Sequence, residues 1–132
     1  EIFLSLSEHS ILKSSVQSDD LDPTSFLEAF EDTYSNPALL SSKLFELRAV
    51  DLLENTSAKL LKSKLSGYLI GSELAGAKSY WLGQNIVMIG NNDLCILYQK
   101  ALKKLGLNAT IENTQNVTLY GLQEACRGRY NQ

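Results

Sequence analysis

The chain is poor in the residues that metal and disulfide chemistry require. Among its 132 residues are 2 cysteines and 1 histidine. Cys95 and Cys126 are too few for a disulfide framework, and no C-x-x-C spacing points to a metal. With His9 as the sole imidazole, a histidine-based zinc site is excluded, and a catalytic triad would have to be built on that one ring. No apolar run reaches the roughly 18 residues that a membrane-spanning helix takes. Positive charge is also scarce: 12 Lys and Arg against 15 Asp and Glu leave a net charge of −3, without the basic face that nucleic acids select. Phosphate loops of the G-x-x-x-x-G-K-[ST] type, G-x-G-x-x-G turns, H-E-x-x-H and calcium loops are all missing. No serine stands in a nucleophile elbow.

What remains is ordinary globular composition, 44% hydrophobic and 20% charged, in a length suited to one domain. The unpaired cysteines fit a reduced, cytoplasmic setting. Three sequons, beginning at Asn55, Asn108 and Asn116, read as chance in an Asn- and Ser-rich chain that shows no secretory signal. Residue 1 is Glu rather than Met, and Glu1-Ile2-Phe3-Leu4-Ser5-Leu6 reads as a helix already in progress. A piece of a longer protein is therefore expected.

Helical spacing dominates the first 84 residues. Ile2, Phe3, Leu6, Ile11 and Leu12 form a stripe that fades into a polar link at Gln17-Ser18-Asp19-Asp20. Asp22-Pro23 predicts a capped helix start, followed by Phe26, Leu27, Phe30 and Tyr34. Asn36-Pro37 predicts a third helix with Leu40, Leu44 and Leu47 inward and Phe45 and Val50 widening the stripe. Asn55-Thr56-Ser57 predicts a cap for a fourth helix reaching about Lys78. In it Gly67, Gly71 and Ala75 stack on one face, a costly choice in a helix that implies close approach of another backbone. That neighbour is either another helix in tight packing or the ligand-bearing element that follows.

After residue 84 the period changes. Ile86-Val87-Met88-Ile89 is continuously apolar, as in a parallel strand covered on both faces. Gly90-Asn91-Asn92-Asp93 predicts a turn, with Asp93 capping a helix from Leu94 to Leu105 whose inner face is Leu94, Leu97, Tyr98, Ala101, Leu102 and Leu105. Gly106 marks its left-handed end. Asn108 to Glu112 predicts a second strand, and Thr114-Gln115-Asn116 opens a last helix through Leu119, Leu122 and Cys126. The tail from Arg127 is expected to be frayed and solvated. The fold class is thus α/β and predominantly helical, with a right-handed parallel β-α-β unit. Two short strands do not make a stable sheet alone, so the chain is expected to be part of a larger lobe, 1–84 helical and 85–127 carrying the ligand side. Parallel sheets bind ligands beyond the carboxyl ends of their strands, which singles out the Gly90 turn and the amides opening the Leu94 helix.

Several stretches resemble one family. Ser35-Asn36-Pro37-Ala38, Leu44-Phe45-Glu46-Leu47-Arg48-Ala49 and Leu65-Ser66-Gly67-Tyr68-Leu69-Ile70-Gly71-Ser72-Glu73-Leu74 are similar to the carboxy-terminal half of 2-keto-3-deoxygalactonokinases. Glu1-Ile2-Phe3 and His9-Ser10-Ile11-Leu12 are similar to that family's helix after a Thr-Gly pair. The resemblance implies an ATP-dependent sugar-acid kinase with a ribonuclease-H-like, actin-like ATPase lobe, phosphorylating the 6-hydroxyl of 2-dehydro-3-deoxy-D-galactonate. It implies that Gly90 matches the first glycine of an adenosine motif, with Asn91, Asn92 and Leu94 beside ATP. Asn91 and Asn92 depart from the small residues many sugar kinases carry there. As a residue next to the family's Thr-Gly pair, Glu1 is implied by this resemblance to approach the sugar acid, and His9 falls in a family stretch but reads as a structural histidine. The phosphate loops, the Mg²⁺ ligands and the catalytic base are expected outside this chain, so the chain alone should be inactive. The implied partners are the sugar acid, ATP, the amino-terminal part of the kinase and a second copy in a homo-oligomer, with no nucleic acid and no membrane. The alternatives are a kinase of the same superfamily acting on another sugar or sugar acid, and a non-catalytic helical interaction module.

Overall fold

The computed structural model describes residues 2–9, 20–54 and 56–130. The chain divides into two compact units, Glu1–Leu82 and Gly83–Gln132.

The first unit is helical: α1 (Ile2–His9), α2 (Pro23–Ser35), a 3₁₀ turn (Pro37–Leu39), α3 (Leu40–Glu54), α4 (Ala58–Gly76) and the short α5 (Lys78–Trp81). The local signals explain its boundaries. Asp22 caps α2 by accepting from the Ser25 amide at 2.8 Å, and Pro23 takes the first turn, where its missing N–H costs nothing. Ser57 caps α4. Asn36 makes no side-chain cap bond, and Pro37 opens a 3₁₀ turn, so the third α-helix begins at Leu40 instead. The fourth helix stops at Gly76, and Lys78 starts a separate turn of helix.

Helix α4 is the spine of this unit, and α2 lies along it. Positions that meet advance together, Asp22 with Ser63, Phe26 with Gly67 and Phe30 with Gly71, so the two helices run parallel. A β-carbon on Gly67 would come to 2.8 Å from Ala29 Cβ and 2.9 Å from the Phe30 amide, and would collide with the Phe26 carbonyl. The small-residue face therefore meets the backbone of helix α2, the tight helix packing that the glycine spacing predicts. Hydroxyls fasten both ends of the contact. Ser63 accepts from the Asp22 amide at 2.7 Å, and Thr33 donates to the Tyr68 carbonyl at 2.8 Å. Around them Phe26, Phe30, Leu61 and Leu65 are fully buried. Helix α3 contributes Leu47 to this core, with Leu40 and Leu44 packed against it. Phe45 does not widen the stripe: it points outward and is 76% exposed.

The second unit is β1 (Ile86–Ile89), α6 (Asn92–Lys104), β2 (Ala109–Glu112) and α7 (Thr114–Tyr130). The strands pair in parallel, Ile86 with Ala109 through Ile89 with Glu112. Cys95, Leu97, Ala101, Leu102 and Ala109 are its buried residues. Leu94, expected inward, lies in the first turn of α6 and is 51% exposed. Gly106, at φ 78°, closes α6: its amide reaches the Lys103 carbonyl and the Leu107 amide reaches Leu102, both at 3.0 Å. The Leu119, Leu122 and Cys126 stripe of α7 is exposed. The expected frayed tail is helix as far as Tyr130, with Arg127 paired to Glu124 at 2.8 Å.

Candidate functional site at the carboxyl edge of the sheet

Parallel pairing sends both strands out at one edge, and each is followed at once by a helix. Gly90 and Asn91 connect β1 to α6, and Asn113 connects β2 to α7. Both junctions are built alike, because asparagine Oδ1 satisfies amides that the first helical turn leaves open. Asn91 Oδ1 accepts from the Leu94 amide at 3.1 Å. Asn113 Oδ1 accepts from the Gln115 and Asn116 amides at 2.8 and 3.2 Å. The cap of α6 is therefore Asn91 and not Asp93, since the helix begins at Asn92, two residues earlier than expected. The Leu94 amide is consequently engaged and is not a donor for an anion. Asp93 lies in the first turn, where a carboxylate complements the helix dipole.

Of the residues singled out in the sequence, Gly90, Asn91, Asn92 and Leu94 lie together on this edge, all exposed. Gly90 has φ 158°, which side-chain-bearing residues rarely adopt, and the only atom near a β-carbon there would be Cys95 Sγ at 3.9 Å. The turn thus presents open backbone. Glu1 and the side chain of His9 lie outside the described residues. Glu112 and Asn113 escaped sequence reasoning because only strand register brings them beside Gly90.

A groove of about 350 Å³ lies at the opposite end of the strands, lined by Gln99, Lys100, Lys103, Leu107, Asn108 and Ala109. Gln99 ties it together, donating to the Ala109 carbonyl at 2.9 Å. Its lysines stand at the carboxyl end of α6, where cations answer the helix dipole, and that same dipole disfavours an anionic ligand. The carboxyl edge is the better candidate.

Among the described residues no group of three or more His, Cys, Asp or Glu side chains is placed to hold a metal ion. No described helix is long and apolar enough to cross a membrane.

Comparison with known proteins agrees on one family. The profile of 2-keto-3-deoxy-galactonokinase matches residues 1–125. DgoK1 of Rhizobium meliloti (strain 1021), named a probable 2-dehydro-3-deoxygalactonokinase, is 34% identical over 131 residues, 96% of this chain and 43% of that protein. The 2-dehydro-3-deoxygalactonokinase of Escherichia coli (strain K12) is 29% identical over 106 residues, 80% of this chain and 36% of that protein. A crystal structure from Sinorhizobium meliloti of a protein assigned as a 2-dehydro-3-deoxygalactonokinase superposes with a TM-score of 0.86 at 33% identity, covering 98% of this chain and 44% of that one. The chain spans less than half the length of each of these relatives. Matched over nearly all of its length by the family profile, the chain belongs to the 2-keto-3-deoxy-galactonokinase family.

Proposed function

We propose that this chain is the carboxy-terminal lobe portion of an ATP-dependent kinase that phosphorylates 2-dehydro-3-deoxy-D-galactonate at its 6-hydroxyl, and that it supplies the adenosine side of the nucleotide site. Family membership and the names of the relatives support the activity. Residues 1–84 are the helical part and 85–127 the nucleotide-side part of an actin-like ATPase lobe. The observation that carries the assignment of the site is the Gly90 turn, open backbone at the carboxyl edge of a parallel sheet, where ligands of such sheets gather.

In this reading Gly90 lets the backbone approach a purine or ribose, and Asn92 offers amide donors and acceptors to ring nitrogens or hydroxyls. Asn91 holds the helix start in place. Asp93 repels the triphosphate and turns it away from the turn. Bound ATP supplies the phosphoryl group. The magnesium ions and the base for the attacking hydroxyl belong to residues beyond those described, as does most of the sugar-acid site, and the working enzyme is cytoplasmic.

The test is a kinase of full family length carrying this chain, assayed with ATP against a panel of 2-keto-3-deoxy sugar acids and their parent sugars, with the product mapped by phosphorus NMR. Turnover selective for the galactonate-derived acid, with phosphate on the 6-oxygen, is expected. Preferential turnover of another sugar would replace the substrate, and absence of ATP-dependent turnover would replace the activity.

A further inference from the structure

We propose that Glu112 accepts hydrogen bonds from the vicinal hydroxyls of a nucleotide's ribose and makes the site selective for ribonucleotides, an inference that rests on the adenosine reading of the Gly90 turn. Strand register places it there. Glu112 is the last residue of β2 and pairs with Ile89, the residue immediately before Gly90. Alternation along the strands puts Val87, Ile89, Thr110 and Glu112 on the exposed face and Ile86, Met88, Ala109 and Ile111 on the covered one. Glutamate is a poor choice for a strand on propensity alone.

Apart from Asn92, which faces the nucleotide in this reading, the other polar side chains of this edge have structural tasks. Asn91 and Asn113 cap α6 and α7, and Asp93 complements the α6 dipole. Among the described residues the Glu112 carboxylate has no hydrogen-bond or ion-pair partner. A carboxylate offers two acceptor oxygens and no donor, which matches two adjacent hydroxyls and nothing on a purine edge as well. An acidic side chain holds the ribose diol in the same way in dinucleotide-binding sheets. Its charge also turns the triphosphate away, so that ribose and phosphates point in different directions from the turn.

Steady-state kinetics with ATP and 2′-deoxy-ATP test this in a kinase of full family length carrying this chain, comparing the parent with Glu112→Gln, Glu112→Ala and Gly90→Ala. The parent should prefer ATP by about tenfold in kcat/KM, the scale of one hydrogen bond to a charged group. Glu112→Ala should erase the preference by raising KM for ATP, which loses both hydroxyl bonds, more than KM for 2′-deoxy-ATP, which loses only the 3′-hydroxyl bond, and Glu112→Gln, which keeps one acceptor oxygen, should retain part of it. An unchanged preference, or an equal rise for both nucleotides with a lowered melting temperature, overturns the proposal and leaves Glu112 as support for the start of α7. If Gly90→Ala raises KM for ATP in the same experiment, only the role of Glu112 falls. If Gly90→Ala is silent as well, the adenosine site lies elsewhere and both readings fall.

Discussion

Gly71 of α4 is pressed against the backbone of α2 at Phe30, where a β-carbon would collide with the Phe30 carbonyl and come within 3.0 Å of the Tyr34 amide. Both atoms belong to backbone, which cannot swing aside as a side chain would. Gly71→Leu should therefore destabilise by about 1–3 kcal/mol through overpacking. Urea denaturation followed by circular dichroism checks this, and an unchanged midpoint would mean that the helices do not meet there.

The Thr33 hydroxyl joins the same pair of helices one turn further on, donating to the Tyr68 carbonyl from a fully buried position. Thr33→Val keeps the shape and removes the donor, and should cost about 1 kcal/mol. Thr33→Ser should recover much of that loss. Equal stability of the valine variant and the parent would show that the bond contributes nothing.

Stability should fall at both ends of the pH scale for separate reasons. Lys43 is held by Asp32 at 3.1 Å and Glu46 at 3.2 Å over the Tyr68 ring, and the hydrogen bond to Asp32, then that to Glu46, raises its pKa. Burial raises the Tyr68 phenol. Groups raised on folding stabilise fully below their unfolded values, here about pH 10, and lose that contribution as the pH climbs through the folded ones. Asp22 is lowered, chiefly by the Ser25 amide, so its contribution is present above about pH 4 and disappears as the pH drops. Lys43→Met should flatten the alkaline limb of a melting-temperature profile and leave the acid limb alone. An alkaline limb identical to the parent's would remove Lys43 from this account.

The chain by itself should release no ADP in a coupled assay with any sugar acid, since the described residues hold no metal-binding cluster and the sequence no phosphate loop. Turnover at an enzymatic rate from the purified 132-residue chain would contradict this.

Local chemistry was readable in the sequence. Asp22-Pro23, Ser57 and Gly106 act on amides and carbonyls a few residues away, and each stands where its residue type demands. The two strands were readable because Ile86–Ile89 is uniformly apolar and Ala109–Glu112 follows a helix stop. Choosing between Asn91 and Asp93 as the cap was not, since both side chains can do it and two residues of phase decide. Gly67 and Gly71 announced a close backbone, but which helix supplies it depends on long-range packing that periodicity does not encode. For the same reason Phe45 and the α7 leucines have the spacing of core residues and yet face outward. At the candidate site Gly90 was legible as a turn glycine, whereas Glu112 joins it only through the pairing of strands 23 residues apart, Ile89 with Glu112.

The most direct test of the central claim is the split between Michaelis constants in Gly90→Ala, measured in a kinase of full family length carrying this chain, with ATP and sugar acid varied in turn beside a melting curve. The φ of 158° means that alanine brings some backbone strain, so a small loss of melting temperature is expected in any case. If the turn lies against adenosine, KM for ATP should rise about tenfold or more while KM for the sugar acid holds, since the β-carbon and the shifted backbone displace the nucleotide alone. Equal rises for both substrates, or unchanged constants with only a lowered melting temperature, would contradict the account and make the turn purely structural.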